Sequence, residues 1–420
     1  MCITFLDKFA SNDISFECRF GLGRLSQPKK ALLDEFAEFV MYYSGVGEHD
    51  WIELETVIAD RSVYLGLFVG DYDFSIGGGS NREDLELGLQ LLAARIVDPA
   101  FLDSAVEYYR DEIPTIMNMI RTSLYDVFAY DLNGWLRGGD ERFVAPTAEG
   151  LLALEASDVS DWILPFLNSS YMECSFVGDF DEDATVDLIL ATLGAIPERE
   201  NSPPEISEEL RAIDIPSAPM TKSFPYETGL PQAGAFVTWE IPSDLSDVST
   251  DEDTSRHFSL LNGVFAIRVT EQIEKLLGGA YSPYVESHQN EAFDCGFLIA
   301  IAQGLPEEVK VFTDIILEIA ADMSTGGISQ DEFDRARLPL QSTVEDDLRD
   351  NMYWLSRVIG ESQAKPFKLD WSRSLVGFYE NAIVDDINNL AMEYLSPDKA
   401  YLLSIVPGNS TDGDSEAGVR

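Results

Sequence analysis

Histidine is the side chain best suited to metal-assisted hydrolysis, and this chain has three, His49, His257 and His288. A helical zinc site for peptide hydrolysis needs two imidazoles one turn apart, a glutamate base between them and a third ligand from elsewhere. The three histidines lie far apart, and the sequence contains neither His-x-x-Glu-His nor its inverse. We therefore expect no catalytic residue and no metal ligand in this chain.

Motifs for other chemistry are also missing. No Gly-x-Ser-x-Gly turn presents a nucleophilic serine. The glycine run at 77–79 lacks the Lys and Ser/Thr of a phosphate-binding loop. Cys2, Cys18, Cys174 and Cys295 are scattered, with no Cys-x-x-Cys pair. We expect them to be small buried hydrophobic side chains rather than a disulfide framework or a zinc site.

A glycine pair followed by a tyrosine marks the end of a long predicted helix. Residues 275–283 read KLLGGAYSP. Glycine tolerates the positive φ that the end of a helix demands, so the pair Gly278 and Gly279 is expected to form the turn. Tyr281 and Ser282 then lead into the next strand. Tyr281 is either a substrate contact or a structural tyrosine.

The elements that would position these residues occur twice in the same order, as an internal repeat. Each half has a strand, a long helix, paired strands, further helices and a final helix and strand. In the first half these are 14–20, 29–44, 62–76, 82–97, 158–167 and 172–177; in the second they are 235–241, 255–277, 284–302, 307–323, 385–395 and 401–406. The pattern predicts an α+β fold of two tandem similar domains, each a mostly antiparallel sheet covered by helices.

The domain boundaries follow from composition. Residues 197–222 are rich in Pro, Ser and Glu and have no apolar periodicity, which is typical of a linker. We predict a first domain at 1–196, the linker at 197–222 and a second domain at 223–408. Residues 409–420 are polar and are expected to form a disordered tail. Ser329 and Glu332 have the spacing of a capping box at the start of a helix.

The charge balance excludes several functions. The chain has 28 basic and 75 acidic residues, for a net charge of −47. This argues against nucleic-acid binding and against docking on anionic lipid. It indicates either a solubility or salt-adapted surface or the attraction of basic substrates. With no apolar run long enough to span a membrane and no evident signal peptide, we expect a soluble protein, cytoplasmic or, within a longer precursor, periplasmic.

Together these features resemble the insulinase/pitrilysin family of zinc metallopeptidases over nearly the whole chain. The resembling pieces are SGVG at 44–47, GGGS at 77–80, FVGDF at 176–180, IR at 267–268, LGGAYSP at 277–283 and YLSPD at 394–398. The resemblance implies domains like those of mitochondrial processing peptidase and insulinase, in two bowl-like halves that close over a peptide. In that family the zinc chemistry belongs to the N-terminal half. This chain is similar to the C-terminal, non-catalytic half, domains three and four.

The place of the family's zinc helix can be compared residue by residue. Here the chain has Glu35 and Phe39 at the imidazole positions and Glu38 at the position of the base. Phenylalanine cannot ligate zinc. Glu112 would correspond to the distant carboxylate ligand. The resemblance therefore implies no cofactor in this chain and zinc on a partner half or subunit that bears His-x-x-Glu-His.

The resemblance also implies a set of substrate-binding residues, namely Arg268, Gly279, Tyr281 and Ser282. The family usually places an arginine seven residues before the tyrosine, where this chain has Glu274. A carboxylate accepts hydrogen bonds and repels an oxyanion, so this exchange opposes the family role. Arg268 matches a second basic position of the family.

The leading hypothesis is a non-catalytic half or subunit of a pitrilysin-like zinc metallopeptidase, inactive alone, that forms chamber wall and peptide contacts. The alternative is a proteolytically inactive clamshell binding or assembly protein, like the related core subunits of respiratory complexes. Glu274 favours this alternative. A self-contained enzyme is a third possibility, for which the sequence offers no specific set of residues.

Overall fold

The structure of the chain, a computed structural model, describes residues 2–6, 11–243, 251–278, 282–290 and 292–408. The predicted tail at 409–420 lies outside these ranges, as do Gly279 and Tyr281. The chain divides into two compact units. Unit 1 comprises Met1–Ile113, Pro146–Arg211 and Thr343–Leu375, and unit 2 comprises Pro114–Ala145, Ala212–Ser342 and Val376–Arg420.

Within the described residues each unit contains one five-stranded sheet. The strands of sheet 1 are β1 (Cys2–Leu6), β2 (Ile14–Phe20), β3 (Val63–Val69), β4 (Phe74–Ser80) and β5 (Met172–Gly178). The strands of sheet 2 are β6 (Met220–Tyr226), β7 (Ala233–Glu240), β8 (Tyr284–Gln289), β9 (Gly296–Gly304) and β10 (Tyr401–Pro407).

The two sheets have the same topology. Sheet 1 has the order β1-β5-β2-β4-β3 and sheet 2 the order β6-β10-β7-β9-β8, so each strand of one sheet has a counterpart in the other. In each sheet a single pair is parallel, β1 with β5 and β6 with β10, and the remaining pairs are antiparallel. The predicted α+β fold of two similar, mostly antiparallel domains is confirmed.

Helices connect and cover the strands. They are α1 (Leu33–Tyr43), α2 (Trp51–Ile58), α3 (Leu85–Val97), α4 (Asp103–Thr122), α5 (Leu124–Asp126), α6 (Asn133–Leu136), α7 (Ala148–Leu152), α8 (Ala156–Ser169), α9 (Glu182–Ala191), α10 (Glu208–Arg211), α11 (Asp251–Leu277), α12 (Val309–Met323), α13 (Gln330–Asp347), α14 (Asn351–Tyr353), α15 (Phe367–Asn381) and α16 (Val384–Tyr394). Val127–Leu132 and Trp354–Ile359 are π-helical turns. In the described part of the chain, no helix combines the length and apolarity needed to cross a membrane.

Two helical segments belong to a different unit from their neighbours in sequence. Residues 114–145 fall within the predicted first domain, 1–196, but are part of unit 2. Residues 343–375 fall within the predicted second domain, 223–408, but are part of unit 1. The predicted linker, 197–222, contains α10 and the first residues of β6. The compact units are therefore discontinuous along the chain, unlike the predicted domains.

Sheet 1 is covered on both faces at β2 and β5, because alternate side chains of a strand point to opposite faces. On one face Phe16 and Phe176 stack with ring centroids 6.0 Å apart. On the other face Val177 forms a buried cluster with Leu355, Val358 and Ile359, which belong to segment 343–375. Segment 343–375 thus buries a sheet face that would otherwise meet solvent.

The cysteines correct one expectation. Cys18 and Cys174 form a disulfide, so the prediction that neither takes part in one was wrong. The antiparallel register of β2 and β5 places the two cysteines directly opposite each other, with Cα atoms 4.0 Å apart. They are 156 residues apart in sequence, so no spacing motif indicates the pair. Cys295 is free and buried, as predicted; the side chain of Cys2 is not among those described.

Candidate functional site

Helix α1 carries the residues that stand where the resembled family holds zinc. The ring of Phe39 lies among three tyrosines, with ring centroids 4.4 Å from Tyr43, 5.4 Å from Tyr108 and 5.2 Å from Tyr109. These distances are typical of packed aromatic pairs. The phenyl ring offers no donor atom to a metal, and its aromatic neighbours fill the space beside it.

Glu38, at the position of the family's base, has a structural partner. It accepts a hydrogen bond of 2.8 Å from the backbone N–H of Val69, at the end of edge strand β3. Burial raises the pKa of Glu38, and this hydrogen bond opposes the rise. Glu112 lies on α4. The described residues contain no group of three or more His, Cys, Asp or Glu side chains that could hold a metal. The residues at this place do not fit zinc.

Arg268 on α11 is held by carboxylates of two neighbouring helices. Its Nε donates to Glu332 at 2.7 Å and its Nη1 to Asp322 at 2.6 Å, and its Nη2 also donates to the carbonyl of Gly327. Hydrogen bonding from Arg268 lowers the pKa of Glu332 to about 2. Glu332 also completes the predicted capping box, since it accepts from the N–H of Ser329 at 2.9 Å. Arg268 therefore clamps α11 to α12 and α13, and its contact with substrate stays a prediction.

The turn after α11 leads directly into an edge strand. Gly278 has a φ of +64°, and its N–H donates to the carbonyl of Glu274 at 2.9 Å. This confirms that glycine ends the helix by adopting a left-handed conformation. Glu274, at the position of the family arginine, is exposed. Ser282 is also exposed and lies two residues before β8. The roles of Gly279 and Tyr281 stay predictions, because both lie outside the described residues.

Strand β8 lies at the edge of sheet 2 and pairs with β9 on one side. Its other side has no strand partner in the described chain. Asn262 of α11 donates to the hydroxyl of Ser287 on β8 at 2.8 Å, while the buried Oδ1 of Asn262 has no partner among the described residues. Tyr284 is 40% exposed, and burial, with smaller contributions from Glu286 and Tyr125, raises its pKa. An unpaired strand edge of this kind can accept an extended peptide.

A group of buried charges lies on the face of sheet 1 that segment 343–375 covers. We call Glu17, Arg19, Asp73, Glu173, Glu361, Lys365 and Lys368 the sheet-1 ion network. Arg19 donates from Nε to Glu17 at 2.8 Å and from Nη1 to Asp73 at 3.0 Å. It also donates to the carbonyl of Ser356 at 3.3 Å. Burial raises the pKa of both carboxyl groups, and the charge of Arg19 opposes the rise.

Glu361 is the centre of the second half of this network. It accepts a hydrogen bond from the hydroxyl of Tyr72 at 2.7 Å and pairs with Lys365 at 3.1 Å and with Lys368. Burial would raise its pKa, but the two lysines hold the pKa of Glu361 at about 2. Glu173 accepts from the backbone N–H groups at 363 and 364, at 2.7 and 3.2 Å. The network therefore binds segment 343–375 to sheet 1.

Sequence reasoning missed this network. The signal was present, because Glu17 and Arg19 alternate with Phe16, Cys18 and Phe20 along β2. A polar face of a strand is ordinarily assigned to solvent. It is buried here because residues more than 300 positions later in the chain cover it.

Comparison with known proteins bears on the resemblance to a peptidase family. Residues 153–340 match the family model of the peptidase M16 inactive domain. The chain is 24% identical over 365 residues to the chloroplastic stromal processing peptidase of Arabidopsis thaliana, and 26% identical over 323 residues to an uncharacterised zinc protease of Mycobacterium leprae. The resemblance to the insulinase-like M16 zinc peptidases is confirmed. The first alignment covers 77% of this chain and 29% of the stromal peptidase; the second covers 74% of this chain and 69% of the M16 relative from Mycobacterium.

Solved M16 structures share the fold. The periplasmic protease PqqL of Escherichia coli matches with a TM-score of 0.72 at 17% identity, over 94% of this chain and 43% of that chain. An M16 inactive domain from Pseudomonas fluorescens matches with a TM-score of 0.75 at 13% identity, over 97% of this chain and 96% of that chain. At these identities the structural similarity shows the fold alone.

Proposed function

We propose that this chain is the non-catalytic half or subunit of a pitrilysin-like zinc metallopeptidase, where it forms chamber wall and holds the peptide substrate. The observation that carries the proposal is Phe39. In a chain with the M16 fold, an aromatic ring packed against three tyrosines takes a position at which zinc binding requires a donor atom. Glu38, which would be the base, accepts a hydrogen bond from the backbone N–H of Val69 at the edge of β3.

The zinc ion and the general base belong, on this proposal, to a catalytic half or subunit that bears His-x-x-Glu-His. The lengths of the relatives support this division. The match covers 29% of the Arabidopsis peptidase and 43% of PqqL, so the counterpart of this chain is one part of a longer polypeptide in each of them.

The peptide contact would be made by the free edge of β8, together with Ser282 and Tyr281 in the preceding turn. A peptide added as a strand would form main-chain hydrogen bonds with β8, and the free Oδ1 of Asn262 lies beside that strand. The edge of β3 in sheet 1 suits this role less, because the N–H of Val69 already donates a hydrogen bond to Glu38. The net charge of −47 favours basic peptides.

Proteolysis assays test whether hydrolysis requires a separate catalytic half or subunit. The purified chain alone is expected to show no chelator-sensitive hydrolysis of peptides. Mixing it with a partner chain that bears His-x-x-Glu-His should give hydrolysis that a chelator abolishes. Zinc-dependent turnover by this chain alone would contradict the proposal.

Backbone-methylated peptides test the strand addition. In an antiparallel pair, N–H groups that face the partner strand alternate with groups that face away. Methylating peptide nitrogens of one parity should weaken binding at least about tenfold, and methylating the other parity should leave it nearly unchanged. The readout is fluorescence anisotropy of a labelled basic peptide. Equal tolerance of both methylated peptides would rule out pairing with the β8 edge.

Two observations favour the alternative, a proteolytically inactive binding or assembly protein. Arg268 is engaged by Glu332 and Asp322, and an exposed carboxylate stands at the family's arginine position, Glu274. Stable association with another polypeptide, without peptide binding and without proteolysis by the complex, would select this alternative.

A further inference from the structure

Arg95, in the last turn of α3, is a buried cation with few partners. It is 7% exposed, and its Nη1 donates to the carbonyl of Met41 at the C-terminal end of α1. The other guanidinium N–H groups have no hydrogen-bond partner, and the side chain has no ion pair, among the described residues. Burial lowers its pKa. Buried charges in proteins are ordinarily paired or fully hydrogen-bonded.

The other buried arginines show what is missing. Arg199 is 9% exposed and has no ion pair in the part of the chain that the structure describes, but it donates three hydrogen bonds to carbonyls at the end of α8. Arg142 and Arg256 pair with Asp140 and Asp253. Arg95 has neither arrangement, although the chain contains 75 acidic residues.

A cavity of about 330 Å³ lies against Arg95, between α1, α2, β3 and α3. Its apolar walls are Trp51, Leu54, Ile58, Val63, Leu65 and Leu91. The other charged residues that line it already have partners, since Glu55 accepts from the hydroxyl of Tyr42 at 3.2 Å and Arg61 pairs with Asp84 at 3.2 Å. A cavity of this size, with mostly apolar walls and a few polar groups of which Arg95 is the buried one, is typical of a small-ligand site.

Helix α2 covers one side of this cavity and does not belong to the buried core. None of its residues is buried, and Ile52 and Val57 on its outer face are 59% and 58% exposed. Trp51, Leu54 and Ile58 have helical spacing and are half-buried, since they face the cavity. The helix therefore presents an apolar stripe to the cavity, and Trp51 in this stripe also packs edge-on against Tyr43, with ring centroids 5.1 Å apart.

We propose that this cavity binds a carboxylate attached to a compact apolar body. The free N–H groups of Arg95 would hold the carboxylate through paired hydrogen bonds, and the apolar body would lie against Leu54, Ile58 and Leu91. One guanidinium balances one negative charge, so a monoanion fits and a phosphate dianion would keep an uncompensated charge among apolar walls. The ligand is a free carboxylic acid or the C-terminal residue of a peptide. The site is independent of the function proposed above.

Pairs of acids and amides test the charge requirement in the full wild-type chain. Phenylacetate or N-acetyl-leucine should bind in calorimetry and raise the melting temperature, while phenylacetamide and N-acetyl-leucinamide should bind at least about tenfold more weakly. Tighter binding of phenylacetate assigns the site to a free acid, and tighter binding of N-acetyl-leucine assigns it to a peptide C-terminus. If neither acid binds, or if the amides bind as well as the acids, the proposal is overturned.

Variants test the residues. Arg95→Gln keeps a donor for Met41 but loses the charge, so acid binding should fall at least about tenfold. Leu91→Trp fills the cavity and keeps the arginine, so it should also abolish binding. Arg373→Gln removes a charge at a 72% exposed position and should bind like wild type. If Arg95 only caps α1, filling the cavity with Leu91→Trp will leave acid binding unchanged. That result would contradict the proposal, and it does not require Arg95→Gln to fold.

Discussion

Glu361 is 9% exposed, and its environment decides its charge. Burial alone disfavours an ionised carboxylate. Two lysines and the hydroxyl of Tyr72 outweigh this and hold the pKa of Glu361 at about 2, below the ordinary value of 4.5. Because the pKa is lowered on folding, ionised Glu361 contributes stability that is present above about pH 4.5 and is lost as the pH falls toward 2.

The variant Glu361→Gln is therefore expected to have a pH-dependent defect. Near neutral pH the free energy of unfolding should fall by about 3 kcal/mol, because Lys368 is left buried without its counter-ion. The difference between variant and wild type should shrink as the pH falls from about 4.5 toward 2, since Glu361 is protonated first in the unfolded chain and only near pH 2 in the folded one. Urea unfolding across this pH range measures both effects.

The matched control is Asp370→Asn, which breaks the exposed ion pair with Arg373. Exposed pairs contribute little, so this variant should unfold like wild type at every pH. A defect of Glu361→Gln that is the same at neutral and at acidic pH would contradict the assigned role of the charge.

Strands β2 and β5 are joined by the Cys18–Cys174 disulfide as well as by their hydrogen bonds. A crosslink between residues 156 positions apart restricts the unfolded chain strongly. The side chains of both cysteines are fully buried, so the bond lies within the core of unit 1.

The double variant Cys18→Ala/Cys174→Ala should be less stable than the oxidised wild type by about 2–5 kcal/mol. A reductant should lower the melting temperature of wild type and have no effect on the double variant. Cys295→Ala, which removes the buried free thiol, should keep the sensitivity to reductant. Mass spectrometry establishes whether the disulfide is intact before the reductant is added and broken afterwards. If the bond is broken and the melting temperature of wild type does not change, the disulfide does not stabilise the fold.

Several elements were predictable because their periodicity is local. The predicted helix 255–277 lies within α11, and the predicted strand 172–177 lies within β5. The paired strands were predicted to end at residue 76, but β4 continues through the glycine run 77–79 to Ser80. Glycine here serves close packing, because a Cβ at Gly78 would lie 1.8 Å from the carbonyl oxygen of Tyr64 on β3.

The whole molecule carries a net charge of −47. Like charges of this number repel one another in the compact state more than in the expanded chain, and salt screens the repulsion. The screening length falls from about 10 Å at 0.1 M salt to about 3 Å at 1 M.

The melting temperature should therefore rise by several degrees as sodium chloride increases from about 0.1 to 1 M. Potassium chloride should have the same effect, since screening depends on ionic strength. A sugar at the same molar concentration should raise the melting temperature less than the salt does, because it does not screen charge. A melting temperature that falls with salt would mean that attractive ion pairs outweigh the net repulsion.

The sequence by itself determined the repeated α+β order of elements, the end of α11 at glycine and the lack of a zinc motif. These follow from local patterns of apolar side chains, from the backbone freedom of glycine and from the ligand chemistry of single residues. The tertiary structure alone decided which residues 100 or more positions apart meet. The Cys18–Cys174 bond, the sheet-1 ion network and the exchange of segments 114–145 and 343–375 between units all depend on such contacts. The cavity at Arg95 likewise appears only in three dimensions, since unfilled space arises from the packing of several elements and has no signature in one segment.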